Sequence, residues 1–255
     1  MPLPGRAHGF SLIELAVVLV IIGLLLGGGI AAFTTVAEQA NRSEQRAQLN
    51  TVRDALYGFA MGEGRLPCPD VSDPLDGKGD TDPPSPSPGA SFECAAEEGA
   101  LPWSDLGVGR LDAWGQPLRY RVTTDATSYD DPNDFAEAVP AGESVSFGVG
   151  AKGDLEISET AGGGDDVAGN VVAVVVSFAD QGDQVWINDG ATINCPGAGV
   201  SGFSAEENEN CSGGADSFVQ TGYRPPSVDD GFDDMLTWIP YTVLTARMIK
   251  AGKLP

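Results

Sequence analysis

Histidine is almost absent from this 255-residue chain, and basic residues are scarce. The single histidine is His8, close to the start, so imidazole chemistry has no candidate anywhere in the body of the chain. Fourteen Lys and Arg stand against 37 Asp and Glu, a formal net charge of −23. Nucleic acid is excluded as a partner on that balance, because neutralising phosphates takes Lys and Arg. The excess suits a domain kept soluble by self-repulsion outside the cytoplasm. The four cysteines, Cys68, Cys94, Cys195 and Cys211, form no C-x-x-C, and with one histidine this excludes a structural zinc site. No internal repeat is present. Carboxylates remain for catalysis, but they fall in runs such as Asp130-Asp131, Asp165-Asp166 and Asp229-Asp230, which read as solvated surface.

What is present is concentrated at the N-terminus. Residues 1–9, MPLPGRAHG, are polar and carry Arg6. From Leu15 to Phe33 there follow 19 residues without a charge. As a helix they extend about 28 Å, close to the hydrocarbon thickness of a bilayer. Arg6 on one side and an acidic remainder on the other orient the N-terminus to the cytoplasm. Glu14 sits at the head of this run, where a lone carboxylate costs roughly 2.5–3.5 kcal/mol on insertion scales. A simple anchor has no use for it, so Glu14 needs a cationic partner. A secretory signal cut near Ala31 would have to tolerate Glu14, an uncleaved anchor leaves it unexplained, and no cysteine follows for a lipoprotein.

The stretch G-F-S-L-I-E-L, Gly9 to Leu15, resembles the class III signal of type IV prepilins and type II secretion pseudopilins. The resemblance implies cleavage by a prepilin peptidase between Gly9 and Phe10, followed by methylation of the new Phe10 amine. It also removes His8. Glu14 matches the family's acidic position and would neutralise the Phe10 amine of a neighbouring subunit, turning two costly charges into one pair. Such a pairing sets the stagger between adjacent helices.

Beyond Phe33 the helix is expected to continue without proline. Val36, Ala40, Ala47, Leu49, Val52, Leu56, Phe59 and Ala60 recur at three- and four-residue steps, and Gly62 and Gly64 end the pattern. A helix of roughly 50 residues is near 75–80 Å long. Gly27-Gly28-Gly29 weakens it, either to allow unwinding on assembly or to permit close packing of small residues. Strands are expected at 118–123, 145–149, 155–158, 171–178 and 184–188. The near-continuous apolar run 171–178 reads as the central buried strand. A last strand should reach Ile239, with a helix opened by Pro240 and closed near Gly252. L-P-C-P-D at 66–70, L-P-W at 101–103 and D-A-W-G-Q-P-L-R-Y at 112–120 mark turns, and together they resemble a subfamily of prepilin-like proteins. The fold class is α+β: a long N-terminal helix packed on an antiparallel sheet. The expected organisation is a leader at 1–9, a transmembrane and assembly helix at 10–36, its amphipathic continuation at 37–64, and a globular periplasmic domain at 65–255.

Two further groups invite a role. Asp70, Asp73, Asp76, Asp80 and Asp82 share one glycine-containing loop, and calcium takes oxygens from such segments. Asp73, Asp76 and Asp80 are the candidate ligands. Lys78 and Pro83-Pro84 break the EF-hand pattern, and a solvated acidic loop is the alternative. Four cysteines allow three pairings. Cys68–Cys94 and Cys195–Cys211 are expected, because each brackets a loop without apolar periodicity. Crossed pairing and free thiols are the alternatives.

The function expected is structural: a pseudopilin or minor pilin of a type IV pilus, type II secretion or DNA-uptake filament. Its partners would be other pilin-like subunits, prepilin peptidase, the inner membrane and an assembly platform. A filament-tip binding module is the second expectation, and an exported enzyme the third.

Overall fold

The computed structural model describes residues 11–84, 91–124, 134–164, 166–187, 192–197, 202–212, 216–225 and 231–255, with backbone alone at 25–35 and 187. Asp130, Asp131, Asp165, Asn188, Asp229 and Asp230 lie outside them, as do Gly9 and Phe10. By internal contacts the chain divides into residues 1–43 and 44–255.

In the first unit, α1 (Leu12–Glu63) begins, and it continues into the second. The apolar side chains from Leu12 to Leu24 are exposed, Leu12 at 89%. Among the described residues no helix is long and apolar enough to cross a membrane; the side chains of 25–35 fall outside them.

In the second unit, α1 is amphipathic. Leu49, Val52, Leu56 and Ala60 recur every three or four residues and are buried, along with Tyr57. Each such Leu or Val side chain, taken from water, contributes about 1.5–3 kcal/mol. Gly64 closes the helix with φ +79° and returns its N–H to the carbonyl of Ala60 at 2.8 Å. Only glycine adopts that geometry without strain, and a Cβ there would also strike the Ser144 carbonyl.

A short ribbon follows, β1 (Thr81–Asp82) against β2 (Glu93–Cys94). The main sheet takes β3 (Glu98–Ala100), then, after the one-turn helix α2 (Trp103–Leu106), β4 (Arg119–Val122), β5 (Leu155–Ser158) and β6 (Asp166–Ser177). Next come α3 (Gly182–Val185), a two-strand ribbon of β7 (Trp186–Ile187) and β8 (Thr192–Ile193), and α4 (Ala205–Ser212). The chain closes with β9 (Ser217–Val219), β10 (Met235–Pro240) and α5 (Tyr241–Lys250). The six-stranded sheet runs β3-β4-β6-β5-β9, with β10 also on β6. Every pair is antiparallel except β5 with β9, so the sheet is mixed, mostly antiparallel.

Register explains why β6 is apolar on both faces. Tyr120, Val175 and Thr237 align across β4, β6 and β10, and Tyr120 and Val175 join the core beneath α1. One residue along, Arg121, Val174 and Trp238 align, and Val174 packs in a second core with Phe178, Phe203 and Phe218. With both faces covered, alternation disappears from the sequence.

Three expectations need correction. Residues 145–149 form turns instead of a strand. Val145 and Phe147 are buried, but the Ser146 N–H goes to the Gly64 carbonyl, and Gly150 sits at φ +95°. Of the described part of the expected strand 184–188, only Trp186 and Ile187 are strand, because α3 takes the residues before them, and Asn188 lies outside the described residues. The stretch between Cys195 and Cys211 carries α4, with Glu207, Asn210 and Cys211 buried, where a loop was expected.

Candidate functional site

Ser11 precedes α1 in the N-cap position. Its Oγ accepts the N–H of Ile13 at 3.2 Å, and its own N–H donates to Glu14 Oε2 at 3.1 Å. Glu14 therefore acts as the acidic arm of a capping box, satisfying one of the donors a helix start leaves open. Its negative charge also lies at the positive end of the helix dipole. Ser-x-x-Glu before an apolar run was readable in the sequence as such a box. Gly9 and Phe10 fall outside the described residues.

The cysteines form two disulfides, Cys68–Cys94 and Cys195–Cys211, with Cα atoms 5.3 and 5.5 Å apart. The first ties the segment after α1 to β2. The second ties the end of α4 to the residues after β8.

The acidic loop is organised around Asp70, which is fully buried. Its Oδ1 accepts the N–H of Ser72 at 3.1 Å and the Ser72 hydroxyl at 2.5 Å, and its Oδ2 accepts the N–H of Gly77 at 2.6 Å. Burial pushes the Asp70 carboxyl above its ordinary value, opposed by these hydrogen bonds. Asp76 accepts the N–H of Lys78 and Asp80 that of Val71, so two of the three proposed ligands hold turns. Asp73, Asp76 and Asp80 are not brought together as an ion-sized group.

Asp112 does the same for the D-A-W-G turn. Its Oδ1 accepts the N–H of Trp114 and Gln116, and its Oδ2 accepts the Ser177 hydroxyl at 2.6 Å. Gln45 and Gln48 of α1 bind this turn through the Ala113 N–H and the Leu111 carbonyl. The W-G and P-L positions are thus reversal chemistry, fastened to the helix by two glutamines whose part the sequence did not signal.

On the sheet face away from α1, Arg119 is buried, and burial pushes its guanidinium below its ordinary value. It donates to Glu98 at 2.6 Å and to the carbonyl of Asn210. Arg121 meets Asp216 at 2.7 Å and Glu97 at 3.2 Å. Near them, the one group of three carboxylates gathered at ion-binding distance among the described residues is Glu207, Asp233 and Asp234.

An open cleft of about 780 Å³ is lined by Leu75, Arg110, Gln116, Pro117, Asp183 and Trp186 among others. Its titratable groups are Arg110 and Asp183, which make neither a nucleophile–base pair nor a carboxylate pair.

Comparison with known proteins places these features. Residues 5–30 match the family model described as the prokaryotic N-terminal methylation motif. The chain is 46% identical over 60 residues to the type IV narrow pilus major component PilA5 of Thermus thermophilus. That match covers 24% of this chain and about half, 51%, of the relative. No solved structure matches the chain. With the methylation motif at its head and a long helix packed on a mostly antiparallel sheet behind it, the chain resembles type IV pilins.

Proposed function

We propose that this chain is a structural subunit of a pilin-like filament, made as a membrane-anchored prepilin. The observation that carries the reading is the methylation motif across residues 5–30. The motif implies processing by a prepilin peptidase and assembly with other pilins. In this reading residues 1–9 are the leader, and the peptidase cuts between Gly9 and Phe10 and methylates the new amine. Residues 10–36 hold the chain in the inner membrane and later pack in the filament, residues 37–64 continue that helix, and residues 65–255 lie in the periplasm. Glu14 meets the Phe10 amine of a neighbouring subunit, while its capping bond to Ser11 orients the carboxylate. The exposed apolar side chains from Leu12 to Leu24 support this reading, since that surface needs lipid or other helices around it. Pilins are structural proteins, and the buried carboxylates of Asp70 and Asp112 here hold turns.

The filament served is a pilus, a type II secretion machine or a DNA-uptake system, with the chain as pseudopilin or minor pilin. Tagged protein should co-purify with one of these filaments, and should stay in the membrane fraction when the prepilin peptidase is deleted. A chain that reaches no filament, or reaches one without the peptidase, overturns the proposal.

A further inference from the structure

Copies of this chain repel one another, since 37 acidic residues stand against 14 basic ones. Close approach of two copies therefore needs a surface without that excess. From Tyr241 to Pro255 there are Arg247, Lys250 and Lys253, and no Asp or Glu. This stretch is α5 and the short tail behind it.

α5 is anchored by its inner side. Leu244 and Met248 join the core that α1 covers. The Arg247 guanidinium lies 4.0 Å from the centre of the Tyr57 ring and 3.8 Å from Asp54, and Lys253 donates to the Gly62 carbonyl at 3.0 Å. The opposite side faces outward: Val243 is 41% exposed and Ile249 47%, and Ala246 and Lys250 are exposed with them. Steps of three and four residues set these side chains on one helix face. Aliphatic side chains grouped on one face mark a contact surface, unlike ones scattered singly.

The complementary surface lies at the other edge of the sheet. Val174 of β6 pairs both with Arg121 of β4 and with Trp238 of β10, so β4 and β10 flank β6. β3 lies beyond β4, and α5 follows directly from β10. Two backbone bonds between Asp70 and Ala100, 2.9 and 2.8 Å, fasten the acidic loop to the outer side of β3. That loop exposes Asp73, Asp76 and Asp82, with Val71 and Pro74 among them, against the single cation Lys78. The cationic helix face and the acidic loop stand at opposite edges, so they do not meet within one chain. Between copies they match in charge. A contact of this kind joins unlike surfaces, and it repeats head to tail into an open chain of subunits.

We propose that the α5 face of one subunit, Val243, Ala246, Ile249 and Lys250, docks on the acidic loop at Asp73, Asp76 and Asp82 of a second copy. Lys250 supplies the charge match, and Val243 and Ile249 meet Val71 and Pro74. The contact rests on the filament reading for its setting. A helix as short as α5 offers too little surface for a stable complex by itself, and it acts alongside packing of α1 between subunits.

The test is carbodiimide cross-linking of filaments sheared from cells that make the full chain. The reagent joins a Lys amine to a carboxylate in direct contact. Lysine occurs at 78, 152, 250 and 253, so the linked peptides are few. A ladder of linked copies should form, with Lys250 joined to Asp73, Asp76 or Asp82. Lys250→Glu should lower the assembled chain about three- to tenfold, the scale of exposed charge pairs turned from attraction to repulsion. Asp73→Lys with Asp76→Lys should do the same. Combining all three changes should restore assembly and the link, with its two chemical partners exchanged. Equal melting temperatures of the variants separate loss of contact from loss of fold. Filaments in which Lys250 forms no link to this loop overturn the contact and leave the filament reading standing. So do filaments in which Lys250→Glu assembles as the parent does, or in which the combined variant assembles no better than Lys250→Glu. A chain that reaches no filament overturns both.

Discussion

Glu14 Oε2 accepts the backbone N–H of Ser11 at 3.1 Å, so the carboxylate proposed to pair with a neighbouring chain also caps its own helix. The two roles separate by substitution. Glu14→Gln keeps an acceptor oxygen for Ser11 and loses the charge, whereas Glu14→Ala loses both. Membrane levels of both variants should equal or exceed the parent's, because a charge that opposes insertion is gone. Filament association should fall in both alike. A Glu14→Gln chain that assembles as well as the parent would assign Glu14 to capping and count against the charge pair.

The disulfide at Cys195–Cys211 closes a short loop that carries α4. Replacing both cysteines with serine should cost about 3 kcal/mol in the entropic model. For a domain of this size that is a fall of roughly 6–12 °C in melting temperature. Non-reducing peptide mapping should recover Cys68–Cys94 and Cys195–Cys211 peptides. A Cys68–Cys195 peptide or free thiols would contradict the pairing.

Asp112 holds three donors, from Trp114, Gln116 and Ser177. Asp112→Ala should cost about 3 kcal/mol, since hydrogen bonds to a carboxylate are worth roughly 1.5–3 each and do not add fully. Burial pushes this carboxyl above its ordinary value, opposed by the same hydrogen bonds. A raised acid binds its proton more tightly when folded. Its contribution is therefore full below the unfolded value, about 3.9, and lost as pH rises through the folded one. The stability advantage of the parent over Asp112→Asn should narrow as pH climbs from about 4. Urea melts across that range measure it, and an advantage that widens with pH contradicts the assignment.

Legibility in the sequence followed the physics of each segment. α5 was readable because Pro240 and the positive φ of Gly252 punctuate it, and β6 because burial on both faces leaves an unbroken apolar run. Residues 145–149 misled because Val145 and Phe147 are buried from a turn that serves Gly64 and Tyr241. α4 was hidden because what it buries is polar: Glu207 and Asn210 enter the interior through hydrogen bonds that no hydrophobic period records. A signal existed in Ser204-x-x-Glu207, the same box as Ser11-x-x-Glu14. The carboxylate group at 207, 233 and 234 joins positions far apart in the chain, so only the fold could assemble it.

The central claim rests on what happens at the start of the chain. Intact-mass and N-terminal peptide mass spectrometry of the membrane-extracted protein measures it directly. The account predicts a chain beginning at Phe10 with one methyl group on its amine. A chain beginning at Met1, or one cut near Ala31, would contradict it.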